Sequence, residues 1–274
     1  MRSHWSLVIF TLMVQCAVGN VWCLHAALLW DAGPAGLVIL KSQLLAALCL
    51  VLTGLAVAMA HVGKPGDSLH AVRNFKKSWL SREIVSVNIF AAFLAVMASL
   101  AYINPGALNV WVLLVGSLTA GAVLYAMTRV YCLRTVPSWN HAGTPLAFLG
   151  SALLLGGLLC TLVLKIPALL QMDGHDAMGQ NAYRNVALIA VLMGFILQIL
   201  ASGVKPPEAV SWGPFKSRQP VLQGVGVALG MVYVSAAVNP VLQSLLLLLA
   251  AICIVCGEIF QRIQFYNSYQ RVGL

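Results

Sequence analysis

The strongest constraint in this sequence is a repeated one: runs of about twenty apolar residues that charge hardly interrupts. A helix crossing the hydrocarbon core of a bilayer needs about 20 mostly apolar residues. Eight segments meet that length: Trp5–Leu28, Leu37–Ala60, Ile84–Ile103, Leu108–Thr128, Thr144–Leu164, Asn185–Ser202, Val221–Ala237 and Val241–Arg262. Barrel strands would be about 10 residues of alternating character, and these runs are long and continuous. The expected fold is an all-α integral membrane protein, one eight-helix bundle over residues 1–274, with both termini on the same side. Composition removes the alternatives. Of 274 residues, 61% are hydrophobic and 8% charged, whereas a soluble domain is about a quarter charged. That excludes an ordinary soluble enzyme, and the apolar content excludes disorder. The net charge of +9 comes without a long basic run or aromatic-basic interleaving, so nucleic acid is not the partner.

Turns punctuate the runs at Ala32-Gly33-Pro34, Asn104-Pro105-Gly106 and Asn239-Pro240. Gly226 and Gly230 in the short seventh segment form a GxxxG, read as a packing notch. Arg2, Leu7–Val14 and Ala17-Val18-Gly19 mimic a signal peptide, but the apolar run continues through Leu28. An uncleaved first helix is expected.

Eight crossings sort the charges by face. One face holds the termini and the second, fourth and sixth loops. It collects Arg2, Lys64, Arg73, Lys76, Lys77, Arg82, Arg129, Arg134, Lys205, Lys216, Arg218, Arg262 and Arg271 against Asp67, Glu83, Glu208 and Glu258. The other has Lys41, Lys165 and Arg184 against Asp31, Asp173 and Asp176, so the whole +9 falls on the first face. The positive-inside rule makes that face cytoplasmic. Docking of an acidic partner subunit is the competing reading.

Ionisable groups in or at the mouths of spans are costly and mark functional candidates. His61 closes the second span and Glu83 opens the third, both on the charged face. Gly63 and Pro65 stop the second helix. Ser81 can cap the third, with Glu83 in its first turn, a purely structural role that rivals a chemical one. Arg129 and Tyr131 end the fourth helix. Glu258 and Arg262, four apart in the eighth, can form an internal salt bridge. A histidine that hydrogen-bonds a hydroxyl and a carboxylate that accepts a proton, at the mouth of a membrane cavity, suit proton-coupled quinol chemistry. Haem fits poorly, because His25 and His61 lie at opposite depths and His4, His70, His141 and His175 lie outside or barely inside spans. His25 reads as a packing histidine. The seven cysteines, including Cys253-x-x-Cys256, lack the ligand sets that metal or iron–sulfur sites need.

Several short motifs then occur in order: His61-Val62-Gly63-Lys64-Pro65, Trp79-Leu80-Ser81-Arg82-Glu83-Ile84, Arg129-Val130-Tyr131 with Thr135-Val136-Pro137-Ser138-Trp139, and Gly257-Glu258-Ile259 followed by Phe265-Tyr266. Together they resemble the membrane-anchor subunit of anaerobic dimethyl sulfoxide reductase, over nearly the whole chain. Val62, Lys64 and the extra basic residues of the second loop depart from its pattern. The resemblance implies a multi-pass subunit of the bacterial cytoplasmic (inner) membrane in a three-subunit oxidoreductase of anaerobic respiration. It would hold an iron–sulfur electron-transfer subunit and, through it, a molybdopterin catalytic subunit that reduces the terminal acceptor. It would oxidise menaquinol, a diffusible substrate, without haem, metal or cluster of its own. His61 and Glu83 match the family's quinol-oxidising pair. Gly63, Pro65, Ser81, Arg82, Arg129, Tyr131, Glu258 and Arg262 are supporting candidates. The resemblance also makes the basic face the docking face, periplasmic if the catalytic subunits are exported, in conflict with the positive-inside count. Two other readings remain: a proton-coupled secondary transporter using Glu83 and Glu258, and a purely structural anchor.

Overall fold

The computed structural model describes residues 4–30, 35–62, 74–169, 177–204, 218–235 and 239–269. Among these, eight long helices follow one another: α1 His4–Trp30, α2 Ala35–Val62, α3 Trp79–Ile103, α4 Val110–Tyr131, α5 Gly143–Leu169, α6 Ala177–Gly203, α7 Arg218–Ser235 and α8 Pro240–Asn267. A short 3-10 turn, Pro105–Ala107, separates α3 from α4. Each helix falls on an expected segment. Seven are long and apolar enough to cross a membrane. The other, α7, has 18 described residues and packs extensively against α8 across the turn at Asn239-Pro240.

The helix α1 is the axis of the bundle. It is the most buried span and touches α2, α4, α5, α6 and α8. In lipid, helices gain little from apolar burial alone; small residues, close packing and interhelical hydrogen bonds hold them together. The crossing of α1 and α5 shows how. Gly19 and Gly156 face each other so closely that a Cβ on Gly19 would overlap the Ala152 carbonyl, and one on Gly156 the Gly19 backbone. The α5–α6 seam, the most extensive in the bundle, uses Gly194 against the α5 backbone in the same way. The expected notch is half there: a Cβ on Gly226 would strike Ile254 and the Ala250 carbonyl of α8, whereas Gly230 has open space around it.

Buried amides add directional ties. Asn20 Nδ2 donates to Gln43 Oε1 at 2.6 Å, and Gln43 Nε2 donates to the Cys160 carbonyl at 2.9 Å, joining α1, α2 and α5. Trp22 Nε1 donates to the Ser117 carbonyl, and His25 Nδ1 lies 3.0 Å from Ser117 Oγ on α4. His25 is therefore the packing histidine expected. Outward faces carry Ile89, Val96, Leu118, Ile196, Leu248 and Ile252, all exposed, as lipid-facing surface requires.

Helix ends depart from the sequence reading where polar residues mask a helix. The third helix begins at Trp79, not Ile84, and its cap is Ser78, whose Oγ accepts from the Ser81 amide. Ser81 is thus no cap, and no acidic residue lies in the first turn of α3. The capping explanation of Ser81 and Glu83 falls; both are buried inside the helix. The eighth helix continues to Asn267, so Arg262 lies over a turn inside it. The N-terminal half of α1 meets the C-terminal part of α8, with Gln15 on Arg262 and Thr11 on Tyr266. At the opposite end of the bundle, Lys41 lies over the Tyr102 ring and Lys165 over Tyr233.

Candidate functional site

The end of the bundle shared by the start of α3, the end of α4, the 132–142 loop and the end of α8 gathers the chemistry. Glu83 is only 4% exposed. Its Oε1 finds no hydrogen-bond partner among the described residues. A buried carboxylate oxygen without a donor is costly, so it marks a place where the fold keeps an acceptor available. Glu83 lies within electrostatic reach of both Tyr131 and Tyr266. Those two phenols meet at 2.8 Å, hydroxyl to hydroxyl.

Around them the rings close tightly. Tyr131 packs edge-on against Trp139, Phe265 and Tyr266 and tilts onto Phe148, all with centroids 5.4–5.7 Å away. Trp139 stacks on Phe265 at 5.1 Å and donates Nε1–H to the Phe265 carbonyl at 2.7 Å. Thr144 Oγ1 donates to the Trp139 carbonyl. The 132–142 loop, α5 and α8 are thereby locked together, and Trp139 of the motif gains its reason.

Behind the rings runs a buried polar network. Ser151 Oγ donates to Glu258 Oε2 at 2.6 Å, while Gln198 and Gln223 donate to Glu258 Oε1 at 3.0 and 2.8 Å. Arg262 Nη2 donates to Gln15 Oε1 at 2.7 Å and to Ser151 Oγ at 3.1 Å. Its guanidinium also lies 4.1 Å from the Phe148 ring centre. The expected Glu258–Arg262 salt bridge is not made by direct contact: the Ser151 hydroxyl stands between the two side chains. Five helices, α1, α5, α6, α7 and α8, meet in this network.

A cavity of about 90 Å³ opens beside it. Its lining includes Ser138, His141, Thr144, Phe148, Gln261 and Arg262. His141 Nδ1 accepts from the Gly143 amide. Half-burial holds this imidazole below the usual histidine range, and a backbone hydrogen bond at Ser138 works the other way.

The remaining sequence candidates lie elsewhere. His61 is the penultimate residue of α2, and its side chain, like Gly63, Lys64 and Pro65, lies outside the described residues. Arg82 and Arg129 flank the Trp79 ring at 4.2 and 5.1 Å. Arg82 also donates to the carbonyls of Phe75 and Lys76, fixing the turn before α3; Arg129 is exposed. Sequence reasoning named the ionisable groups and passed over Gln15, Ser151, Gln198, Gln223 and Gln261; Ser138 entered only within a motif and His141 only as a rejected haem ligand. The available signal was uncharged polar residues inside apolar spans, which are also expensive in hydrocarbon. All seven cysteines are free, Cys253 and Cys256 included. No metal-binding cluster of His, Cys, Asp and Glu forms among the described residues.

The sequence signature of the DMSO reductase anchor subunit (DmsC) family matches residues 1–267. The chain belongs to that family. It is 28% identical over 289 residues to the C chain of anaerobic dimethyl sulfoxide reductase from Escherichia coli (strain K12), covering 99% of this chain and 96% of that protein. It is also 28% identical over 280 residues to the YnfH chain of anaerobic dimethyl sulfoxide reductase from the same strain, with the same coverage. The corresponding C subunit from Haemophilus influenzae is 28% identical over 208 residues, 73% of either protein. As a DmsC-family anchor the protein is a multi-pass membrane subunit of a complex, and the buried groups gathered at one end of its bundle are the place to seek its chemistry.

Proposed function

We propose that this chain oxidises a membrane quinol, menaquinol by family resemblance, in the bacterial inner membrane. It hands the electrons to an iron–sulfur subunit that serves a molybdopterin catalytic subunit. The observation that carries this reading is Glu83: a carboxylate buried in a membrane helix, with one oxygen unpartnered, beside a tyrosine pair. Quinol oxidation breaks two O–H bonds and releases two protons and two electrons, leaving the quinone. Glu83 takes one proton. His61, at the end of the neighbouring α2, hydrogen-bonds the second hydroxyl and takes the other. The electrons leave through the iron–sulfur partner. Tyr131 and Tyr266 hold the wall behind Glu83 and exclude water. Glu258 stands differently: three donors occupy its oxygens, which suits a structural anchor point better than a proton carrier in a transporter.

The test is cluster reduction in the purified complex. Under anaerobic conditions, addition of a short-chain naphthoquinol to the complex isolated through this chain should reduce bound iron–sulfur clusters, read by electron paramagnetic resonance. A complex whose clusters respond to dithionite but never to quinol would refute the proposal.

A further inference from the structure

Towards the end of the bundle opposite Glu83, two helical hairpins meet, α5–α6 and α7–α8. Each packs extensively within itself, whereas α6 touches α7, and α5 touches α8, only sparingly. A cavity of about 30 Å³ lies between the hairpins. Its depth is apolar, with Leu158 from α5, Leu188 and Val191 from α6, Val227 from α7, and Leu247 and Ile254 from α8. Gly230 forms part of the α7 wall, and a Cβ there would meet nothing within 4 Å. Thr161, also in the lining, spends its hydroxyl proton on the Gly157 carbonyl at 2.9 Å. Water needs two or more polar partners, and apolar cavities stay dry. The depth therefore suits methylene groups.

The mouth is cationic. Arg184 and Tyr233 line it; Arg184 is exposed and lies within electrostatic reach of the Tyr233 phenol. Lys165 Nζ stands 5.1 Å from the Tyr233 ring centre and donates to Gln243 Oε1 at 3.3 Å. Two cations from different helices thus converge on one ring. The two carboxylates among the described residues, Glu83 and Glu258, belong to the clusters at the other end. From Arg184 to Val191, and from Tyr233 to Gly226, the walls run inward by about 10 Å at ~1.5 Å per residue. Cations above and hydrocarbon below is the complement of a phospholipid with a net negative head group. A guanidinium fork and an ammonium both bind phosphate, and basic pockets between membrane helices take anionic head groups. Free phosphate would leave the apolar depth empty, and a zwitterionic head group would bring a third cation to the first two.

We propose that the groove between the α5–α6 and α7–α8 hairpins binds an anionic phospholipid, with one acyl chain in the apolar depth and the phosphate held by Lys165 and Arg184. The lipid joins two hairpins that share little direct contact. The site lies at the far end from Glu83 and stands independently of the quinol chemistry.

The test is photolabelling of the intact complex in phosphatidylcholine vesicles that contain a trace of phosphatidylglycerol with a diazirine in its acyl chain, followed by peptide mapping. Label is expected on peptides spanning residues 226–233 and 247–254. Excess phosphatidylglycerol should remove it, and inorganic phosphate should not. Lys165→Gln or Arg184→Gln should each lower the label about fivefold, and the two together about twentyfold, as the loss of one or two head-group cations predicts. Lys165→Arg with Arg184→Lys, which keeps both charges, should retain it. Gly230→Phe, which fills the groove from its open wall, should abolish it, with size-exclusion profiles confirming assembly. Lys41→Gln is the control, because Lys41 rests on Tyr102 at the same end and is not in the lining; the label should not change. Equal labelling by a diazirine phosphatidylcholine, or an equal loss in Lys41→Gln, would make these cations ordinary interfacial anchors and overturn the proposal. Label undiminished in the doubly neutralised variant or in Gly230→Phe would overturn it too. So would displacement by inorganic phosphate, or crosslinks from residues 226–233 to a second copy of the chain in place of lipid label.

Discussion

At the scale of single residues, Ser151 shows how one hydroxyl can organise two buried charges. It gives its proton to Glu258 and takes one from Arg262. Ser151→Ala therefore leaves one oxygen and one N–H short of a partner. A cost of about 2–3 kcal/mol is expected for hydrogen bonds to charged groups, read as a fall of several degrees in the thermal midpoint of the detergent-solubilised protein; Ser151→Thr should recover most of it. His141 makes a pH-dependent prediction. Its folded-state pKa lies below the unfolded value, so the unfolded chain binds more protons in the window between the two. The contribution of neutral His141 is complete above the unfolded value, near pH 6.5, and is lost as pH falls through the folded one. Stability should decline on acidification from pH 7 towards pH 5, and His141→Gln should flatten that decline.

At the scale of helices, much was legible and the failures have physical causes. Apolar runs located every long helix among the described residues, because lipid demands both length and continuity. They misjudged ends wherever a helix starts or finishes in polar sequence. The third helix starts at Trp79 because Ser78 caps it, yet from sequence Ser81 reads as the cap and Glu83 as the first turn. The sixth begins at Ala177, with Asn181 and Arg184 in turns that hydropathy discounts. The charged candidates His61, Glu83, Glu258 and Arg262 were visible because charge is conspicuous in a span. The amides that complete the Glu258 and Arg262 network were not, since Gln15, Gln198 and Gln223 become a set only when α1, α6 and α7 converge. Helix crossings yield a sharp contrast. Gly156→Leu would force α1 and α5 apart at the Gly19 contact, costing about 3 kcal/mol or more and scattering the size-exclusion profile. Gly230→Ala, with open space around it, should behave as wild type.

At the scale of the whole molecule, the sparse charge of the sequence acquires a geometry. Two well-separated ends emerge. One carries Lys41 and Lys165 resting on tyrosines. The other holds Glu83, the tyrosine pair, the Glu258 network and the cavity beside His141. A DmsC-family anchor must connect lipid to a partner, and this end offers buried acid–base groups a few residues from the loops that would meet one. The central claim is that Glu83 accepts a proton from quinol. The most direct measurement compares two rates in membranes carrying Glu83→Gln: acceptor reduction driven by a naphthoquinol, and acceptor reduction driven by a soluble dye that bypasses the anchor. The quinol-driven rate should fall about a hundredfold or more, as loss of a general base predicts, while the dye-driven rate stays at the wild-type level. A quinol-driven rate equal to wild type, in an assembled complex, would contradict the account.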